Sequence, residues 1–307
     1  MRKKKFIIVR IAEGLGNQLF MFANAYALAK NKKYLLMIDD ESGYFKIKNQ
    51  LRKREYLLNF FNIQNMICPK KFKFNNYFRD MIRKLMKIID YFRYKKKFLI
   101  ENKNQHKKTA FKNLFKYPLG DLVYIEGHFE SEKYFYNAKN NLQNILTVNK
   151  DYIDTSNKYI NLINKKNAVS IHIRMHRFSE EINERKQLKH IVKSNNFTKE
   201  LINYIHDGIK YFQKKIYKPT FFIWSNDFEG VEKYFQYKNC IFVKNNDVIM
   251  DFYLFSICKH FIVGGSTFHW MGAWLNKNKN KICIRPKNIN LKPSHNNDFW
   301  PNSWIEI

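Results

Sequence analysis

Ala168-Val169-Ser170-Ile171-His172-Ile173-Arg174-Met175-His176-Arg177-Phe178 is the stretch whose reading decides the fold. It opens as an alternating run of β-branched side chains, the pattern of a buried strand, and stops abruptly in cationic and imidazole groups. Open α/β sheets hold their ligands at the carboxyl ends of strands. An arginine leaving such a strand offers a planar fork to a phosphate or carboxylate; a residue of the same type also serves as a surface cation paired with an acid.

Downstream, strands at 169–173, 220–224, 240–243, 260–263 and 281–285 alternate with helices near 197–215, 228–237, 247–258 and 267–275. That alternation predicts βαβ units and a parallel, doubly wound sheet. Upstream, a strand at 6–11 leads through a turn at Gly14 and Gly16 into a helix capped by Asn17 and running to about Lys30, with Leu19, Phe20, Ala23, Tyr26 and Ala27 as its buried stripe. Strands follow at 34–38 and 122–126, and a helix at about 151–165 leads into the polar run 164–167. The segment 41–117 is polar, basic and helical in pieces. The expected organisation is therefore two α/β domains, 1–165 and 166–307, with a ligand held in the cleft between them.

The chain of 307 residues is long enough for two cores. Its four cysteines, Cys68, Cys240, Cys258 and Cys283, form no CxxC pair and have no histidine at metal-ligand spacing, so they read as small buried apolar residues of a reducing compartment. The apolar run after Met1-Arg2-Lys3-Lys4-Lys5 ends at Arg10, too short for a signal peptide, and nothing approaches the roughly 18 apolar residues of a membrane span. These features lead us to expect a cytoplasmic protein without structural zinc.

The net charge of +30 is concentrated. Residues 69–116 hold 16 Lys or Arg against 3 Asp or Glu, a balance of +13. Within them Met81, Ile82, Leu85, Ile88, Ile89 and Phe92 recur at helical spacing, with Arg83, Lys84, Lys87 and Arg93 between them. Such a basic amphipathic helix either meets an anionic membrane surface or packs on a core.

The glycine loop Gly14-Leu15-Gly16-Asn17-Gln18 lacks the spacing of a dinucleotide fingerprint and the lysine of a nucleoside triphosphatase. It presents backbone N–H groups at a helix start, suited to an anion, or it is a tight turn that needs glycine for steric reasons. Gly264-Gly265-Ser266-Thr267-Phe268 repeats the arrangement after another strand. Two such helix starts and one strand-end arginine point to a diphosphate.

Five blocks then fall into a known pattern. Residues 251–260 and 266–276 resemble the D-x-x-L-M-S-x-C-K-H and S-S-F-S-W-W-G-A-W-L blocks of the bacterial galactoside α-1,2-fucosyltransferases; 14–20 is similar to their G-L-G-N-Q-M/L-F, 127–135 to their G-Y-F-Q-S-E-K-Y-F, and 221–227 to their F-F-I-F-S-D-D. The ending Pro301-Asn302-Ser303-Trp304-Ile305 also fits, so the resemblance spans nearly the whole chain. It implies a GT-B-like α/β architecture, two Rossmann-like domains facing each other across a cleft. It also implies transfer of L-fucose from GDP-β-L-fucose, with inversion and with no metal or other cofactor.

By position His172 and Arg174 correspond to the H-x-R-R-x-D motif of that family, which implies Arg174 at the β-phosphate as the catalytic residue and His172 near the guanine. The resemblance makes Asp227 a guanine partner, lets Ser266, Thr267 and Phe268 line the diphosphate, and has Gly14, Gly16, Asn17 and Gln18 facing the donor. The chain departs from the pattern at His128 and Glu130 in the 127–135 block, and nearer the expected donor site Met175 replaces its second Arg, Arg177 its Asp, and Asn226 the first Asp of its S-D-D. Arg177 restores a positive charge two positions on and joins the expected binding residues. With the motif Asp gone, the carboxylate nearest a conserved-pattern block is Glu13, the candidate general base.

The expected function is fucosyl transfer to the 2-hydroxyl of a terminal galactoside in a bacterial surface glycan, with the protein peripheral on the inner face of the inner membrane. A related transferase with another sugar nucleotide or linkage is the alternative raised by Met175 and Arg177. A basic nucleic-acid-binding protein has the charge alone in its favour, so nucleic acid is not an expected partner.

Overall fold

The computed structural model describes residues 4–46, 54–64, 66–101, 117–178, 187–287 and 298–307. They fall into two compact units. The first is built on residues up to Leu146 and on the segment ending at Pro301; the second runs from Thr147 and takes in Asn302–Ile307.

The first unit contains β1 (Phe6–Arg10), α1 (Leu15–Lys32), β2 (Leu35–Asp39), α2 (Tyr77–Tyr91), β3 (Lys96–Ile100), β4 (Leu119–Glu126) and α3 (Lys139–Ile145). Its strands are all parallel, in the order β2-β1-β4-β3. The chain reverses direction across the sheet between β1 and β4, so the loops after those two strands flank a crevice. Helix α1 starts earlier than expected. Gly14, in extended backbone at φ −80° and ψ 167°, is its N-cap, and the Gly14 carbonyl accepts the N–H of Gln18 at 3.1 Å. Asn17 therefore lies inside the first turn rather than capping it. Strand β3 was not expected, because its Lys-Lys-Phe-Leu-Ile begins on two lysines in the most basic part of the chain. Residues 102–116, which carry part of the basic stretch, lie outside the described residues.

The second unit contains α4 (Lys158–Lys165), β5 (Asn167–Ile173), α5 (Leu188–Lys215), β6 (Pro219–Ser225), α6 (Phe228–Glu232), β7 (Cys240–Phe242), α7 (Val248–Ser256), β8 (His260–Ile262), α8 (Thr267–Leu275), β9 (Cys283–Arg285) and β10 (Ile305–Glu306). The opening stretch is β5, the central strand of a parallel sheet ordered β10-β9-β8-β5-β6-β7. Ile171 stands beside Ile223 of β6 and Ile262 of β8, so β5 is paired on both edges, and its fully buried Val169, Ile171 and Ile173 belong to the core. The helix expected at 151–165 is shorter, a single 3₁₀ turn at Lys150–Tyr152 followed by α4 with Asn157 as its cap, and α5 begins at Leu188 rather than near 197.

One aromatic cluster fixes α8. Trp270 stacks on Trp274 at 6.2 Å and meets Trp304, beside β10, at 5.3 Å. On the α7 side the helices approach so closely that a methyl group on Gly272 would lie 2.1 Å from the Phe255 ring. In the first unit, the buried pair Phe299 and Trp300 packs edge to face at 4.6 Å.

Candidate functional site

In the second unit the direction of winding reverses between β5 and β8: β6 and β7 continue on one side of β5, and β8, β9 and β10 lie on the other. The carboxyl ends of β5 and β8 border the place where a doubly wound sheet opens to a ligand. Arg174 leaves β5 there, half-buried, and Gly264-Gly265-Ser266 leaves β8. The loop from β8 runs straight into α8, whose N-cap Ser266 makes no side-chain capping bond. The first-turn N–H groups of α8 thus carry the positive end of a helix dipole whose axis is held by the tryptophans behind it.

The loop 174–178 is braced from two sides. Asn226, after β6, takes the Met175 N–H on its Oδ1 at 2.7 Å and donates its Nδ2 to the Met175 carbonyl at 3.1 Å. An aspartate at 226 could accept the first bond but could not donate the second. The Met175 side chain packs into the core with Ile173, Phe197 and Val231. Two of the departures from the resembled pattern, Met175 through its backbone and Asn226 through its side chain, therefore meet. A further departure, Arg177, donates from Nη1 to the Gly265 carbonyl at 3.0 Å and lies over the Phe197 ring at 5.2 Å, tying the β5 loop to the β8 loop.

His176 adopts a left-handed backbone, φ 57°, and its Nε2 lies 3.0 Å from Asp227 Oδ2. The other carboxylate oxygen of Asp227 accepts the Gly230 N–H at 3.1 Å, so both oxygens are engaged. These two hydrogen bonds, Gly230 first, hold the Asp227 carboxyl below the usual range. His176 was not among the expected site residues; its only signal is the left-handed conformation, which a sequence does not display.

His172 lies with its ring edge against Phe268 at 5.7 Å and beside His269 at 6.0 Å. His269 is fully buried, its Nε2 2.8 Å from Ser170 Oγ, and burial followed by the neighbouring His172 pushes its pKa well below the ordinary value. His269 is thus a neutral member of the wall that supports His172. Asp251, on α7, accepts a hydrogen bond from Asn246 at 3.1 Å, and burial pushes its carboxyl up to about 7.

The loop after β1 is built differently. Gln18 is completely buried and spends its amide on backbone: Nε2 donates to the carbonyls of Glu13 (3.0 Å) and Glu55 (2.7 Å), and Oε1 accepts the Leu57 N–H (2.9 Å). That inward turn makes Gln18 the brace of the loop instead of a side chain presented to a ligand. Glu13 sits in the left-handed region, φ 67°, and its carboxylate is ion-paired with Arg54. Gly14 has an ordinary φ, and a methyl group added there would meet nothing within 4 Å. No steric need for glycine at Gly14 arises from within the chain. Asn17 places its Oδ1 in a buried position without a hydrogen-bond partner among the described residues.

Comparison with known proteins follows the same lines. An α-1,2-colitosyltransferase of Escherichia coli is 28% identical over 313 residues, 98% of this chain and 98% of its own. The O-antigen biosynthesis glycosyltransferase WbnK of Escherichia coli is 26% identical over 97% of this chain and 99% of its own. Among solved structures, the NodZ α-1,6-fucosyltransferase soaked with GDP-fucose superposes with a TM-score of 0.52 at 13% identity, covering 89% of this chain and 93% of that one. Arabidopsis thaliana FUT1 in complex with GDP gives 0.52 at 11% identity, over 94% of this chain and 72% of that one. These structures share the GT-B fold expected from the sequence. The profile of glycosyl transferase family 11 matches residues 1–307, and the chain belongs to that family.

Proposed function

We propose that the chain transfers L-fucose from GDP-β-L-fucose, with inversion, to the 2-hydroxyl of a terminal galactoside in a bacterial surface glycan. The observation that carries this reading is Arg174 leaving the central strand at the winding reversal, beside the uncapped start of α8. Cleavage of the fucosyl–phosphate bond builds charge on the β-phosphate. In this reading a guanidinium and a helix terminus meet that charge, and no metal ion is assigned the task. His172, Phe268 and Asp227 would border the nucleotide, Ser266 and Thr267 the diphosphate, and Gly14, Gly16 and Asn17 would face the donor. Glu13 can act as a base only when its pair with Arg54 opens, since a carboxylate already holding a guanidinium is a poor proton acceptor.

A colitosyl donor is the second reading. The colitosyltransferase relative favours it, as do the departures at Met175, Arg177 and Asn226, which rebuild the loop behind Arg174. A panel of GDP-sugars offered with simple β-galactosides separates the two. GDP-fucose is expected to be consumed only when the galactoside is present, giving an α-1,2 linkage by NMR. Preferential use of GDP-colitose would move the assignment to the second reading, and use of neither would reject both.

A further inference from the structure

Helix α2 sits inside out. Its buried residues are Asp80, Arg83 and Asp90, whereas Tyr77, Phe78, Met81, Leu85, Ile88, Ile89, Tyr91 and Phe92 are between 52% and 83% exposed. The exposed set follows the 3.6-residue period along one stripe, so the helix turns its apolar face to the outside. The charged face is locked to the sheet. Arg83 donates to Asp80 at 2.6 Å and to Glu126, at the end of β4, at 2.5 Å; Lys87 donates to the other oxygen of Glu126 at 2.6 Å. The Asp90 carboxylate takes the N–H groups of Lys97 and Phe98 on β3 at 2.8 and 3.0 Å. Burial alone would raise the Asp80 carboxyl, but hydrogen bonds from Lys46 and Arg83 bring it down to about 2. These ion pairs therefore persist at neutral pH, and turning the helix over would strand buried charges.

Lys84 on α2, and Lys70, Lys71, Arg93, Lys95 and Lys97 on the segments just before and after it in the chain, are exposed. Aromatic and aliphatic side chains on one helix face, with cations on the helix and beside it in the chain, match the composition of helices that lie in the headgroup layer of a bilayer. A protein partner would need an apolar face with an acidic rim, whereas an anionic lipid surface supplies both components at once. No described helix is long and apolar enough to cross a membrane, so contact through this face would be peripheral.

We propose that the exposed face of α2 is a docking surface for anionic lipid: Phe78, Met81, Leu85, Ile88, Ile89 and Phe92 enter the headgroup–acyl boundary while the exposed Lys and Arg side chains of α2 and its flanking segments meet the phosphates. The observation is independent of the sugar chemistry. The test is flotation of the full chain with phosphatidylcholine vesicles containing or lacking phosphatidylglycerol, at low and at molar salt. Binding is expected only to the anionic vesicles, weakening as salt rises. The double variant Leu85→Glu, Ile88→Glu should lose tenfold or more in partition, since each buried CH₂ contributes roughly fourfold. Arg93→Gln with Lys95→Gln should lose roughly fivefold per residue replaced. Both variants should keep the wild-type unfolding midpoint, because the replaced side chains point outward. Equal binding to neutral vesicles, no binding at all, or unchanged binding by the two double variants would overturn the proposal. So would a concentration-dependent dimer that Leu85→Glu abolishes in a protein that ignores vesicles, since the occupant is then a second copy.

Discussion

The turn from β1 into α1 and the turn from β8 into α8 look alike as sequence, each a pair of glycines followed by small polar residues at a helix start. The structure braces them differently. After β1 the bracing comes from within the turn, with Gln18 knitting together Glu13, Glu55 and Leu57, and Glu13 held by Arg54. After β8 the loop is braced from its neighbour, by Arg177 on the Gly265 carbonyl. Neither N-cap, Gly14 nor Ser266, makes a side-chain capping bond. Glycine spacing therefore identifies a turn that could receive an anion. How that turn is held depends on side chains tens of residues away.

Removing the cation beside the open helix start should have the largest effect. Arg174→Ala is expected to lower turnover on the order of 10²–10³-fold or more with the fold retained, and Arg174→Lys to lower turnover more than it weakens GDP binding, because lysine cannot hold two phosphate oxygens in a plane. Steady-state kinetics with GDP titration checks both. If Arg177→Ala abolished turnover while Arg174→Ala did not, the two arginines would have to exchange roles.

The other turn should fail through stability first. Gln18→Leu leaves the Leu57 N–H and two carbonyls without their partner in a fully buried place, at about 1–3 kcal/mol for a group stranded there. Denaturant unfolding should show a loss of about 2–4 kcal/mol. A loss of activity with unchanged stability would return Gln18 to the ligand and dissolve the contrast.

Asp251 offers a pH test on the α7 side. Its carboxyl is raised to about 7, so the folded state binds a proton more tightly than the unfolded chain does. Stability should fall as pH rises from about 4 towards 7 and stay low above it. Asp251→Asn should remove that slope and stabilise the protein by about 1–3 kcal/mol at pH 8, with little effect at pH 4. Thermal unfolding at the two pH values measures it. The smallest effect belongs to Glu13→Gln, which loses the ion pair to a partly exposed Arg54 at about 0–1 kcal/mol. Turnover is expected to change less than threefold unless Glu13 is the base, in which case the loss reaches 10²–10⁴-fold.

The second unit was legible because 169–173 alternates Val169, Ile171 and Ile173 with Ser170 and His172, and 221–224 is an apolar run, with helical patterns between such strands. The strand-end arginine and the glycine starts were legible for the same reason: they interrupt those runs. Strand β3 was lost because its lysines carry no period, and α2 was found as a helix with nothing to show that its charged side faces inward. Periodicity gives two faces and is silent on which one meets the core. The loop behind Arg174 was unreadable in another way: Met175 looked like a lost arginine and Asn226 like a lost aspartate, and only their juxtaposition shows a self-consistent brace.

The aromatic residues near position 300 impose an order on assembly. Phe299 and Trp300 belong to the first unit, whose β1 starts at Phe6, while Trp304 closes the packing behind α8 in the second. Domains usually mature in the sequence in which they leave the ribosome. Here the unit begun first takes in residues that follow most of the second unit in the chain. Both halves therefore complete their cores at nearly the same moment of synthesis, and a nascent chain stopped before residue 299 would hold an unfinished version of each.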